Sequence, residues 1–555
     1  MSDSLADTAS ASRGGRGIPL SLSQQAALLP ERMRRTPAVN LFVALEIVGG
    51  LDAERLDRAA GAVLARHEIL RTVYPDDRRI PYQRTVDAPD SVLESVETAD
   101  LDGDLRADAG HRFDLVRELP LRMRLYRLPD RDVLTLAVHP VAADDRSLEL
   151  LLAELFATYG GETVPAAQQY RTFAAAQLKA LAADASADPD LAYWLRQLTE
   201  LPERATVAAA DALAESAPSA PRSFQIPSDV LGALAAEAEP VVVAVLARAL
   251  SEAGLGEEVA IGITAAGRAP GAEAALGNFA NYLVLRTRPA DERTPRELIA
   301  DTTRLVAEAR SHAGARIERL THELRGAAAV ATGAPFQALV TVRPVLSVAG
   351  RTVRELARRV ARPHGVDIVV DISGEDAATV RVDFSDALAG RPEGEEFASL
   401  LQRLCANWAA APDLSLAQQA DAVAPHLFER EDPEQFGATG LGGPPRTDAE
   451  RALAAAIRQI LELDEDDPVG RADTFFSLGG DSIGALKLVT LLAEQGYALD
   501  VQKVFEYPAI HELAEQLSAA EPAAAQPAAP EVAPMSASGL DPAALAALGR
   551  KFADR

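Results

Sequence analysis

The chain has 555 residues, 48% hydrophobic and 25% charged, the profile of a soluble globular protein of about three to four domains. A formal net charge of -27 excludes a nucleic-acid backbone or an anionic membrane surface as partner, because either needs clustered Lys and Arg. The single cysteine, Cys405, rules out an internal disulfide framework and fits a reducing compartment; on an apolar helical face it reads as a core residue.

In chain order, residues 1–16 are rich in Ser, Ala, Gly and Arg and are expected to be disordered. They lack the basic start and apolar stretch of a secretion signal. The most apolar run, Val241 to Leu250, is too short to span a bilayer and contains Arg248. A cytoplasmic protein without a membrane partner is therefore expected. Residues 17–420 form a long mixed α/β region, with strand-like runs at Ala44 to Val48 and Val133 to Val138. Helical periodicity appears at Leu56, Ala59, Val63 and Leu64, and again at Leu148, Leu151, Leu152 and Leu155. An Ala-, Asp- and Pro-rich stretch from Ala182 to about Ser223 divides this region into lobes of about residues 17–180 and 185–415.

A Gly- and Pro-rich linker is expected over residues 421–444, followed by a compact helical block over residues 445–519. Residues 520–536 form an Ala/Pro/Glu tether that cannot build a core. In residues 537–555, Asp541 can cap a short helix with Pro542 at its first position. Leu545, Leu548 and Phe552 share one face of it, so this tail is a possible docking element.

The strongest chemical signal lies in the helical block. Asp473-Thr474-Phe475-Phe476-Ser477-Leu478 runs into Gly479-Gly480-Asp481, and Ser482 then opens a helical pattern of Ile483, Leu486, Val489 and Leu492. A phosphate ester on a first helical turn meets free backbone N–H groups and the positive end of the helix dipole. Taken alone, such a serine is equally well a helix cap. However, Leu478-Gly479-Gly480-Asp481-Ser482 resembles the attachment signature of peptidyl carrier proteins of nonribosomal peptide synthetases. Pro445-Arg446-Thr447 and Phe505-Glu506-Tyr507-Pro508 agree with that resemblance. It implies an all-α four-helix carrier bundle with a covalent 4′-phosphopantetheine arm on Ser482. Asp481, Ile483, Leu486 and Lys487 would then present the surface that partner enzymes grip.

The first 400 or so residues resemble the condensation domains of the same synthetases. The matching segments keep the family's order: Pro19 to Gln25, Arg66 to Thr72, Phe113-Asp114-Leu115 with Pro120-Leu121-Arg122, Tyr193-Trp194, Gly267-Arg268, and Leu276 to Arg286. The implied fold has two chloramphenicol-acetyltransferase-like lobes around a tunnel, where an amine attacks a carrier-bound thioester. Active members carry His-His-x-x-x-Asp-Gly, whose second histidine faces that amine. This chain reads His139-Pro140-Val141-Ala142-Ala143-Asp144-Asp145, so Pro140 stands where the catalytic histidine is expected. A proline side chain has no donor or acceptor and cannot move a proton. By the same resemblance His139 and Asp144 are structural, Arg71 is the expected partner of Asp144, and Asp145 replaces the motif's glycine.

The remaining histidines, at 67, 111, 312, 322, 364, 426 and 511, show no metal-ligand spacing, and no metal is expected. Residues 421–444 cannot hold an adenylation domain. The expectation is a monomeric carrier modified by a phosphopantetheinyl transferase and loaded by a separate adenylation or other enzyme. It would work beside upstream or downstream megasynthase subunits, with a degenerate condensation-like domain as scaffold or recruitment platform. The alternative is an active, non-standard condensation enzyme forming an amide or ester. An epimerase relative is disfavoured, because such domains follow their carrier and here the order is reversed.

Overall fold

The structure, a computed structural model, describes residues 18–519 apart from 35–37, 78–81, 130, 182–187, 200, 202–204, 209–221, 266, 269–270, 326–333, 346–352, 375–376, 420–423, 430–442, 462, 464–468, 476–477, 479–481, 500–502, 505–506 and 508. The opening segment, most of the expected linker, the Gly479-Gly480-Asp481 turn, the tether and the tail lie outside the described residues.

Helix α1 (Leu22–Arg34) precedes a first sheet built from β1 (Leu41–Ile47), β2 (Leu93–Glu97), β3 (Leu121–Arg127) and β4 (Asp132–Val138). The strand-like run at Ala44 ends at Ile47 and not at Val48. Gly49 and Gly50, at φ +90° and +70°, turn the chain there and leave Val48 61% exposed. Strands β1 and β4 are central and almost wholly buried, as their continuous apolar runs require. Two helices cover the sheet. One is α2 (Ala53–Arg66), capped by the Asp52 side chain, with Leu56, Ala59, Val63 and Leu64 buried. The other is α3 (Asp145–Gly160), capped by Asp144 and closed by Gly161 in the left-handed conformation.

The second sheet comprises β5 (Arg222–Ile226), β6 (Val259–Ala265), β7 (Asn281–Thr287), β8 (Ala338–Arg343), and, after an intervening strand β9 (Val353–Arg359), β10 (Ile368–Ser373) and β11 (Ala378–Phe384). Its order is β7-β6-β8-β10-β11-β5, parallel at its centre and antiparallel on either side. The apolar helices α4 (Ala238–Leu250) and α5 (Pro392–Ala410) pack on it, with Val241 to Ala247 buried and Cys405 only 4% exposed. Among the described residues no single helix is long and apolar enough to cross a membrane.

Strand β9 ties the two sheets together. It follows β8 in the chain but pairs antiparallel with β1, giving the first sheet the order β9-β1-β4-β3-β2. A register shift between Glu355 and Ala357 marks a bulge in it. A second tie is Arg316, 6% exposed, which donates to Ser23 Oγ at 2.6 Å on α1 and to the carbonyls of Phe279 and Ala280 at 3.1 and 2.7 Å.

Past the linker, α6 (Asp448–Leu461), α7 (Ser482–Glu494) and α8 (Ile510–Ala514) surround their own core of Leu453, Ile457, Phe475, Leu488, Leu492, Val504, Ile510 and Leu513. A further helical stretch is described only at Lys503 and Val504. The two-residue strands Tyr497–Ala498 and Ser518–Ala519 pair, so this region is not purely helical among its described residues.

Candidate functional site

Two sites follow from this architecture, one at the start of α7 and one at the start of α3.

The first site is the start of α7. Ser482 is the first residue of this 13-residue helix, so its backbone sits where the first-turn N–H groups lack intrahelical acceptors. The preceding segment is anchored: Phe475 is fully buried, Thr474 bridges to Ala509, and Ile510 N donates to the Asp473 carbonyl at 2.9 Å. Ala485, Leu488 and Leu492 turn inward from α7, and Lys487 is exposed. A phosphodiester attached at the first residue of this helix would be near free backbone donors and the helix's positive end, which fits a phosphopantetheine arm. Asp481 and the side chains of Ser482, Ile483 and Leu486 lie outside the described residues.

The second site is the turn between β4 and α3. His139 is 1% exposed and fully engaged: Val141 N donates to its Nδ1 at 3.0 Å, and its Nε2 lies 3.0 Å from Glu31 Oε2. An acceptor at Nδ1 puts the proton on Nε2, facing Glu31. Phe113 meets the ring edge-on, 6.1 Å between centroids. No lone pair of this imidazole is left for a substrate. Pro140 is buried, and its carbonyl accepts from Asn278 Nδ2 at 2.7 Å. The backbone is thus held in place where the side chain offers nothing.

Asp144 caps α3 through Ser147 N at 2.7 Å. Its partner is Arg268 and not Arg71. Arg268 Nη1 and Nη2 reach the two carboxylate oxygens at 2.9 and 2.8 Å, and Phe279 N donates to Oδ2 at 3.1 Å. Arg71, at the end of a short 3-10 turn, instead donates to the Val86 carbonyl at 2.9 Å. Arg268 also lies over the Phe279 ring at 4.7 Å and donates to Ser147 Oγ at 2.8 Å, which in turn donates to the Gly277 carbonyl at 2.6 Å. A side chain at Gly267 would strike the Phe279 carbonyl, and one at Gly277 the Tyr170 ring, so the segments Gly267-Arg268 and Gly277-Asn278-Phe279 can close on the turn only as glycines. Arg268 stands in one of the segments singled out in the sequence, and that is the signal that could have named it.

Asp145 points elsewhere. Burial pushes its carboxyl up to about 7, against the pull of Arg358 and an N–H from Ala361. Around it stand charges that sequence reading did not bring together. Arg343 on β8 is paired with Asp371 on β10 at 2.9 Å and with Glu355 on β9 at 3.0 Å. Arg381 also reaches Glu355, at 3.1 Å.

Comparison with known proteins assigns both regions. The family model of the condensation domain matches residues 16–417.

The chain belongs to the condensation-domain family.

The model described as a phosphopantetheine attachment site matches residues 451–517, which indicates a covalently attached 4′-phosphopantetheine arm. Relatives of this chain include a probable non-canonical nonribosomal peptide synthetase of Salinispora arenicola, 30% identical over 442 residues, 72% of this chain and 6% of that protein. An isonitrile lipopeptide synthase of Mycobacterium tuberculosis is 33% identical over 312 residues, 51% of this chain and 12% of that one. The chain therefore spans only a small part of the synthetases it matches. In three dimensions it is similar to the teicoplanin X-domain seen in complex with OxyB, with TM-score 0.61 at 24% identity over 74% of this chain and 97% of that one. The condensation domain of the monacolin K polyketide synthase MokA gives TM-score 0.62 at 21% identity, over 73% and 99%. Both likenesses establish the condensation-domain fold.

Proposed function

We propose that the chain is a carrying component of a nonribosomal peptide synthetase, with an acyl or aminoacyl thioester on a phosphopantetheine arm at Ser482 and a condensation domain that serves as scaffold or recruitment platform. The observation that carries the first half is the position of Ser482 as the opening residue of α7. The second half rests on His139 and Pro140. One imidazole is spent inside the protein on Glu31 and Val141, and the other is replaced by a side chain without a donor or acceptor. A missing general base costs about two to four decades in rate. That a domain of this fold occurs in complex with OxyB is in keeping with a recruiting role.

On this reading a phosphopantetheinyl transferase installs the arm, and a separate adenylation or other loading enzyme supplies the cargo. Asp481, Ile483, Leu486 and Lys487 form the face those enzymes and neighbouring megasynthase subunits grip. The chain works as a monomer in the cytoplasm. Reconstitution of the loaded chain with a donor carrier tests the scaffold role. Retained cargo without amide product is expected, and product from the unaltered chain at a rate typical of synthetases contradicts it. A second reading, a non-standard condensation enzyme, is favoured by one observation: Asp145 is a carboxyl held near neutrality beside the motif.

A further inference from the structure

Strand β7 is the edge of the second sheet, and a cavity of about 350 Å³ lies between its far end and the helix Pro295–Ser311. The near end of β7 is Asn281, two residues after Phe279, whose N–H holds Asp144. The strand then runs seven residues to Thr287. At about 3.3 Å per residue, the cavity stands roughly 20 Å from the turn after β4. Buried Leu298 and Thr302 belong to its wall, and among the described residues no aromatic side chain lines it.

Four guanidiniums line this cavity, those of Arg286, Arg288, Arg293 and Arg304, against two carboxylates, Glu258 and Asp301. Each carboxylate is shared. Arg286 and Arg288, two residues apart on extended chain, both pair with Glu258, the second at 2.6 Å. Arg286 is held further by the carbonyls of Gln197 and Thr199, each at 2.8 Å. Arg293 reaches Asp301 at 2.6 Å and donates to the Glu297 carbonyl at 3.1 Å. Arg304 stands 3.6 Å from Asp301 and 3.6 Å from Glu308, which is outside the lining; both separations exceed a hydrogen bond. Four positive charges less two negative leave two in surplus, in a chain whose formal net charge is -27. Guanidiniums gathered around too few carboxylates repel one another, and an anion between them turns that repulsion into attraction.

We infer that this cavity binds a small dianionic phosphoryl compound, a phosphate monoester or a diphosphate, with Arg288 and Arg304 as the guanidiniums that close on it. Arginine meets phosphate oxygens with paired N–H donors. The four arginines arrive from a strand end, a loop and a helix, directions that suit a tetrahedral phosphoryl group better than a planar carboxylate. With no aromatic side chain to stack a nucleobase, the ligand is recognised through its phosphate. The site uses neither Ser482 nor Pro140 and stands apart from the carrier reading.

The test is calorimetric titration of the full chain with inorganic pyrophosphate and with the dicarboxylate malonate. Pyrophosphate is expected to bind at least about tenfold more tightly than malonate. Arg288 and Arg304 are 72% and 63% exposed, so alanine at either position leaves the fold intact. Arg288→Ala and Arg304→Ala are each expected to weaken pyrophosphate binding about tenfold, the worth of one charge-assisted hydrogen bond. Arg117→Ala removes an 84% exposed arginine of the first lobe and should leave the affinity unchanged. No binding of pyrophosphate, malonate bound as tightly, an unchanged affinity in either cavity variant, or an equal loss in Arg117→Ala overturns the assignment. A serine that cannot be loaded sinks the carrier reading without moving any of these affinities.

Discussion

Arg268 grips Asp144 with two charge-assisted hydrogen bonds of 2.8 and 2.9 Å across 124 residues of sequence, and both side chains are less than a tenth exposed. The pair fixes the turn after β4 to the segment ahead of β7, and so sets where Pro140 and Asp145 stand. Breaking a buried pair from one side strands the other charge, at a cost of about 3–5 kcal/mol. Arg268→Ala is accordingly expected to lower the unfolding free energy of the condensation domain, read from urea denaturation, by that amount. Arg71→Ala, which loses one bond to a carbonyl, should cost about 1 kcal/mol. The reverse ranking would restore Arg71 as the motif's partner.

Asp145 makes stability depend on pH. Its carboxyl is raised from 3.8 unfolded to about 7 folded, so between these values the folded chain holds the extra proton. Stability therefore falls as pH rises through that window and levels off above about 7. Asp145→Asn removes the loss. Its stability relative to wild type should rise by about 1–3 kcal/mol between pH 5 and pH 8, read from paired denaturation curves. A difference that does not change with pH would contradict the burial of this carboxyl.

Pro140→His restores an imidazole on a backbone already held by Asn278. With a loaded donor carrier and an aminoacyl group on the arm, this variant is expected to form amide at least about tenfold faster than wild type, toward the two to four decades a general base supplies. No gain would mean that the site has lost more than its base.

Cys405 is 4% exposed, and burial pushes its thiol up to about 12. Iodoacetamide should leave the native chain unlabelled at pH 8 and label it stoichiometrically in urea. Rapid labelling of the native protein would contradict its place in the core.

Local features were largely legible before any coordinates. Apolar periodicity located α2 and α3, and the continuous runs located β1 and β4, because each is decided by neighbours within one element. Long-range choices were not legible. Nothing local tells β9 to leave the second sheet and pair with β1, a union that sets Arg354 against Glu46 across 308 residues. The same holds for the partner of Asp144: Arg71 and Arg268 are equally capable chemically, and only the packing of Gly267 against Phe279 brings the second one in. Asp145 was legible as a departure from the motif, but its raised proton affinity depends on burial among residues that arrive from elsewhere, Arg358 on β9 among them. The serine at the start of α7 was the reverse case, since its signature is contiguous and needs no tertiary context.

The account stands on that serine. Intact-protein mass spectrometry of the purified chain, incubated with coenzyme A and a broad-specificity phosphopantetheinyl transferase, reads it directly. One phosphopantetheine mass is expected on the wild type and none on Ser482→Ala. An unmodified wild type, or equal modification of Ser482→Ala, would contradict the account.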